Sequence, residues 1–238
     1  MELIYKALQE VGLAEYFSSV SLSSLTQFST QLLQINVNLN LTKWVQDEDF
    51  VKFHVVDSAH ALPTLKPLVL RSQQWMDLGS GCGFPGAVLQ AAFPQVEVTL
   101  MDSVAKKTKA LEQCLEAAGW KAPTLTGRAE ELGRDIHLRE SFDGITARAV
   151  ADFSVVLEYA MPLLKTGGYL VNWMTADQMK KVDKAQNALK LLHGRVLKKA
   201  DYSLPGLDLP RSIVVVEKLG KTSSAYPRSV GHVSKRPL

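Results

Sequence analysis

Cysteine is scarce in this chain: two residues, Cys82 and Cys114, among 238. Two thiols are too few for a disulfide-stapled fold and have no metal-ligand spacing, so no metal is expected and a reducing compartment suits the sequence. Long apolar runs are also missing, since no stretch reaches the roughly 18–20 residues that cross a bilayer. The opening residues Met1-Glu2-Leu3-Ile4-Tyr5-Lys6 lack the basic and apolar regions of a secretory leader. A cytoplasmic protein without membrane contact is the expectation. Disorder is disfavoured by 46% hydrophobic and 21% charged residues.

An excess of charge is absent from the whole chain, whose net value is +3, but not from its parts. Residues 1–70 carry a net −3 and residues 71–174 a net −2, whereas residues 175–238 hold 13 basic against 5 acidic side chains. A basic C-terminal quarter suits a polyphosphate partner, and it equally suits a Lys-rich solvated helix.

Apolar spacing predicts helices over residues 1–35, through Leu3, Leu8 and Val11 and then Leu25, Phe28 and Leu32. Asn36–Thr42 is expected to break the pattern, and a second helix is expected from Asp47 to Leu62, stopped by Pro63. From Trp75 the period changes, and strands alternate with helices. Strands are expected at Trp75–Leu78, Val96–Met101, Thr124–Thr126, Phe142–Ala147, Tyr169–Met174, Val196–Tyr202 and Ile213–Lys218. Helices are expected after Pro85, from Ser103 to Ala118, from Asp152 to Leu164 and, Lys-rich, from Ala176 to His193. This order implies an α/β, doubly wound, mostly parallel sheet. The last two strands, joined by the loop Ser203–Arg211 without a helix, imply an antiparallel hairpin. Three parts are expected: an N-terminal helical extension (1–70), a sheet domain (71–220) and a basic tail (221–238).

Within Asp77-Leu78-Gly79-Ser80-Gly81-Cys82-Gly83, glycines alternate between a strand and a helix, where the backbone turns sharply and approaches a ligand. Gly-x-Gly alone is weak. Its context is stronger, because an acid, Asp102, ends the next strand about 20 residues on, as in sites that hold a ribose diol. Asp102 also suits a helix cap, which Ser103 could take instead. Asp77 ahead of the glycines resembles motif I of S-adenosylmethionine-dependent methyltransferases. It moves the expected ligand from a dinucleotide to S-adenosyl-L-methionine, with Asp77 near its cationic methionine end. Ala129-Glu130 follows the third strand, where this fold borders adenine.

Further segments carry a narrower resemblance. They are Asn38–Thr42, His54–Ser58, Asp77–Gly86 with its Gly-Phe-Pro-Gly extension, Asp102-Ser103 with Lys106-Lys107, Gly127–Glu130, Thr146–Val150, and the tail from Tyr226-Pro227-Arg228 through Gly231 to Lys235-Arg236-Pro237-Leu238. Together they resemble the GidB/RsmG family, bacterial 16S ribosomal RNA guanine-N7 methyltransferases. The resemblance departs around Lys43-Trp44, and Gly133–Ser141 is not diagnostic. It implies a class I S-adenosylmethionine-dependent methyltransferase fold, with cofactor contacts at Asp77, Gly79, Gly81, Phe84, Asp102, Ser103, Ala129, Glu130 and Arg148. Arg148 is the expected positioning residue of the reaction. The 16S RNA, alone or in the small subunit, is the implied partner of a monomeric enzyme. Basic residues around the cofactor mouth are the candidate RNA contacts: Lys106, Lys107, Arg128, Lys165, Arg228, Lys235 and Arg236. His54 stays open between packing and function, and Phe84 between cofactor contact and core. Competing readings are a methyltransferase with another acceptor, a nicotinamide-dependent oxidoreductase and a non-catalytic RNA-binding protein.

Overall fold

The computed structural model describes residues 1–70, 73–207 and 210–238. The N-terminal boundary expected at Arg71 and part of the loop Ser203–Arg211 lie outside them. Seven strands form one sheet: β1 (Gln74–Leu78), β2 (Glu97–Asp102), β3 (Thr124–Thr126), β4 (Phe142–Arg148), β5 (Leu164–Thr175), β6 (Gly194–Tyr202) and β7 (Arg211–Lys218). Their order is β3-β2-β1-β4-β5-β7-β6. β2–β3, β1–β4 and β4–β5 pair parallel, while β7 runs antiparallel to both β5 and β6. The expected mostly parallel sheet with a closing hairpin is therefore present.

The helices are α1 (Glu2–Glu10), α2 (Ser19–Leu39), α3 (Asp47–Phe50), α4 (Asp57–Ala59), α5 (Leu62–Val69), α6 (Gly86–Ala92), α7 (Ala105–Ala117), α8 (Ala129–Leu132), α9 (Phe153–Ala160), α10 (Ala176–Val182), α11 (Gln186–Leu191) and α12 (His232–Lys235). Among the described residues none is long and apolar enough to cross a membrane.

Contacts group the chain into two units, residues 1–73 with 79–126 and residues 74–78 with 127–238. In the first, α2 runs three residues past the expected break at Asn36 and ends on Asn40, whose φ of 49° is a left-handed cap that Asn tolerates. Asn36 is buried, and its amide clamps the Thr42 backbone in both directions, donating to the carbonyl at 3.0 Å and accepting from the N–H at 2.8 Å. The expected helix over 47–62 is three pieces: α3, a π-helical stretch Val51–Val56, and α4. Pro63 does not stop it. Pro63 lies in the first turn of α5, where its missing N–H costs nothing. The core of this unit is aromatic. Phe28, Phe50 and Phe84 are buried and meet edge to face, with centroids 5.9 Å apart for Phe28–Phe84 and 5.7 Å for Phe50–Phe84.

In the second unit Trp75 is fully buried, and Gly144 opposite it in β4 leaves no space between backbone and indole for a Cβ. The expected Lys-rich helix over 176–193 is broken by a 3-10 turn at Asp183–Ala185, and β6 begins at Gly194. Six of the basic residues that make this quarter positive are ion-paired: Lys180, Lys181, Arg195, Lys199, Lys218 and Arg228. Its surface is therefore less basic than its composition.

Candidate active site

The glycine loop belongs to the first unit. Gly79, Gly81 and Gly83 have φ of 68°, 57° and 92°, a region that side chains with a Cβ rarely enter. A Cβ on Gly83 would lie 2.6 Å from Phe28 Cζ and 2.9 Å from Leu111 Cδ2, whereas one on Gly81 would meet only the Gly79 carbonyl at 3.9 Å. Gly83 thus serves packing, and Gly81 leaves an open cradle. Ser80 ties the loop to β2: its N–H donates to the Met101 carbonyl at 2.7 Å, and its Oγ accepts from the Met101 N–H at 3.0 Å. Asp102 adds a second tie. Its Oδ2 accepts from the Gly81 N–H at 3.0 Å and its Oδ1 from the Val104 N–H at 2.9 Å. A carboxylate has about four acceptor positions, so Asp102 braces the loop and keeps capacity for a diol. The cap of α7 is Val104, without a side-chain bond, so neither Asp102 nor Ser103 takes the expected capping place; Ser103 is exposed. Lys107 Nζ stands 3.7 Å from Asp102 Oδ2, and Lys106 beside it is exposed.

Phe84 and His54 share the aromatic core. The His54 ring stacks on Phe84 at 5.3 Å, meets Phe50 at 5.0 Å and bonds Thr42 Oγ1 through Nε2 at 2.7 Å. Its Nδ1 is 3.7 Å from Cys82 Sγ. Phe84 is buried in this cluster. Cys114 is buried in α7, and burial pushes its thiol up to about 12, which suits a packing residue.

The second unit holds the remaining candidates. Asp77 is fully buried and accepts from Thr146 Oγ1 at 2.7 Å, across the register that pairs these residues in β1 and β4. Ala129 and Glu130 open α8 and are buried. Glu130 Oε1 accepts from Arg128 Nη2 at 3.0 Å and from the Tyr159 hydroxyl at 3.2 Å, while its Oε2 is buried with no hydrogen-bond partner among the described residues. Burial works against the charged form of Glu130. Its own backbone N–H, then Arg128 and Tyr159, outweigh that and hold the carboxyl below its ordinary range. Burial, and then the Glu130 charge, push Tyr159 up to about 12, so it remains a donor at working pH.

Arg148 ends β4 opposite Trp173 and is half-buried. The next residue, Ala149, has a φ of 58°, a strained value for alanine of the kind that clusters at functional sites. Lys165 is elsewhere. It bonds Asp143 Oδ1 at 2.7 Å while Asp143 Oδ2 accepts from the Gln74 N–H at 3.0 Å, so it closes the amino ends of β1, β4 and β5. Ligands of open parallel sheets bind at the carboxyl ends, and Lys165 lies at the opposite edge. The Arg228 guanidinium lies against buried Glu158, with Nη2 to Oε2 at 2.6 Å. Lys235 and Arg236 are exposed at the end of α12. Ser80, Thr146 and Tyr159 were not among the expected contacts, because their roles depend on partners 21, 69 and 29 residues away that no local pattern marks.

The strand order, with an open glycine loop ahead of α6 and an acid ending β2, is that of a class I, S-adenosylmethionine-dependent methyltransferase. Solved structures agree on the fold: the O-methyltransferase from Bacillus cereus in complex with SAH aligns at TM-score 0.56 and 13% identity over 80% of this chain and 90% of that one. The citrinin polyketide synthase CMeT domain aligns at TM-score 0.55 and 12% identity over 82% and 66%. The model of the GidB family, rRNA small subunit methyltransferase G, matches residues 21–204, and the chain belongs to this family. Its similar relatives include the ribosomal RNA small subunit methyltransferase G of Alkaliphilus oremlandii, 33% identical over 95% of both chains. That of Desulfitobacterium hafniense is 37% identical over 89% of this chain and 87% of its own.

Proposed function

We propose that the protein methylates N7 of a guanine in 16S ribosomal RNA, with S-adenosyl-L-methionine as donor. The observation that carries the reading is the Gly79–Gly83 loop, three glycines in left-handed backbone lashed to β2 by Ser80 and Asp102, in a chain of this family. Asp102 would hold the ribose hydroxyls, and the Ala129-Glu130 turn the adenine. The loop accommodates the amino-acid part, and Thr146 fixes the Asp77 carboxylate. When bound, the cofactor supplies an electrophilic methyl on a sulfonium sulfur.

The protein's own task is then orientation. Guanine N7 has an in-plane lone pair and no proton, so no side chain needs to act as a general base. Alignment of the reacting atoms is worth roughly 7–11 kcal/mol in favourable cases. Arg148 supplies a rigid fork suited to a carboxylate or a guanine edge. Exposed Lys106, Lys235 and Arg236, with Lys107 and Arg128, contribute phosphate contacts whose affinity falls as salt rises. Residues 1–70 serve as a helical extension, 71–220 as the catalytic domain and 221–238 as a tail, in a monomer acting in the cytoplasm.

The test is to incubate the protein with unmethylated small subunits and labelled cofactor, then to map the product by chemical cleavage at N7-methylguanine. Label in one guanine N7 is expected; label in protein, in another base or nowhere refutes the reading.

A further inference from the structure

Arg228, a tail residue among the expected RNA contacts, has a partner inside the fold. Glu158 in α9 is fully buried. Its carboxylate accepts four bonds from Arg228: from the backbone N–H to Oε1 at 2.8 Å, from Nε to both oxygens at 2.9 and 3.1 Å, and from Nη2 to Oε2 at 2.6 Å. The next residue along α9, Tyr159, donates to Glu130 at 3.2 Å. Consecutive residues of one helix thus address the tail and the adenine turn.

A second linkage is independent of the first. Arg139 donates through Nη1 to the carbonyls of Gly133 at 2.7 Å and Tyr226 at 2.9 Å. Through Nη2 it donates to Thr222 at 2.7 Å and Ser223 at 3.0 Å. Gly133 caps α8, the helix that carries Ala129 and Glu130. Pro227 is buried, and a Cβ on Gly133 would lie 3.0 Å from Pro227 Cγ. One guanidinium therefore stitches the far end of α8 to the tail, and the proline packs on the seam.

We propose that residues 222–228 form a strap that positions the Ala129-Glu130 turn for the cofactor, with Arg228–Glu158 as its latch and Arg139 as its stitch. The strap touches no reacting atom, and its residues are positioning residues. It fixes the α9 turn beside Tyr159, whose hydroxyl is one of the two side-chain donors to Glu130, and the Gly133 cap that ends α8. Loosening the strap lets that turn sample other orientations, which weakens cofactor binding more than it slows transfer at saturation. This rests on the cofactor reading above.

The experiment measures S-adenosylhomocysteine binding by calorimetry, and KM and kcat for the donor. Arg228→Ala leaves Glu158 buried and unpaired and threatens folding. The working variants are therefore Glu158→Gln with Arg228→Gln, which leaves no buried charge, and Gly133→Ala, which pushes on Pro227. Each is expected to raise Kd and donor KM about tenfold, with kcat within about twofold. Arg228→Lys, which keeps the charge but not the fork, should fall between them and the wild type.

A measurement on the wild type needs no variant to fold. Coupling is reciprocal, so S-adenosylhomocysteine should slow amide exchange of 222–228 along with 129–133. Unaltered exchange in 222–228 despite protection of 129–133 overturns the strap, as does wild-type binding by the folded Gln pair. Wild-type protein that fails to bind S-adenosylhomocysteine at all refutes the cofactor reading instead.

Discussion

Gly83 offers a quantitative test of how the glycine loop is built. An alanine there meets two penalties. The first is conformational: φ is 92°, and a left-handed residue with a Cβ costs about 1–2 kcal/mol. The second is steric, since the new methyl would sit 2.6 Å from Phe28 Cζ and 2.9 Å from Leu111 Cδ2. Phe28 cannot retreat, because its ring is fully buried and packed on Phe84 and Trp120 at 5.9 and 5.7 Å. Overfilling such a core typically costs about 1–3 kcal/mol. The two together centre on about 3.5 kcal/mol. At about 2–4 °C per kcal/mol for a chain of this size, Gly83→Ala should lower Tm by roughly 7–14 °C.

Gly119→Ala is the control. Its φ is 70° and nothing lies within 4 Å of a Cβ there, so only the conformational penalty applies, about 1 kcal/mol. The assay is thermal unfolding by circular dichroism. In a Phe28→Leu background the ring atoms are gone, and the Gly83→Ala increment should shrink in the double-mutant cycle. Equal losses for Gly83→Ala and Gly119→Ala, or additivity with Phe28→Leu, would refute the steric argument.

Arg148→Ala is expected to lower kcat/KM about 100-fold or more while leaving Tm within a few degrees, as loss of a transition-state donor does; normal turnover in single-turnover methyl transfer would sink its positioning role. Glu130 predicts a pH effect. Its carboxyl is held below the ordinary 4.5 in the folded protein. The stability this adds is complete above the unfolded value and is lost as pH falls through the lowered one. Glu130→Gln should therefore flatten the fall in Tm as pH drops below the unfolded carboxyl's value. An unchanged acid slope counts against that assignment.

The site was partly legible because some of its requirements are local. Gly79, Gly81 and Gly83 are needed by the backbone itself, and an acid at the end of a strand marks Asp102 as a candidate diol acceptor. Other requirements are not local. Asp102 as a candidate diol acceptor was visible, but its bonds to Gly81 and Val104, which make it a brace for the loop, were not. The segment Gly133–Ser141 carried no recognisable pattern, yet Arg139 within it joins four carbonyls.

By itself the sequence determined the succession of strands and helices, the glycine turn and the family, since periodicity, left-handed backbone and contiguous motifs are written in neighbouring residues. Only the tertiary structure decided which charges meet. Lys165 and Arg228 are as basic in the sequence as Lys106. Folding sets the first against Asp143, 22 residues away, and the second against Glu158, 70 residues away. A charge's role follows from its partner and burial, and both are fixed by packing between segments that the sequence keeps far apart.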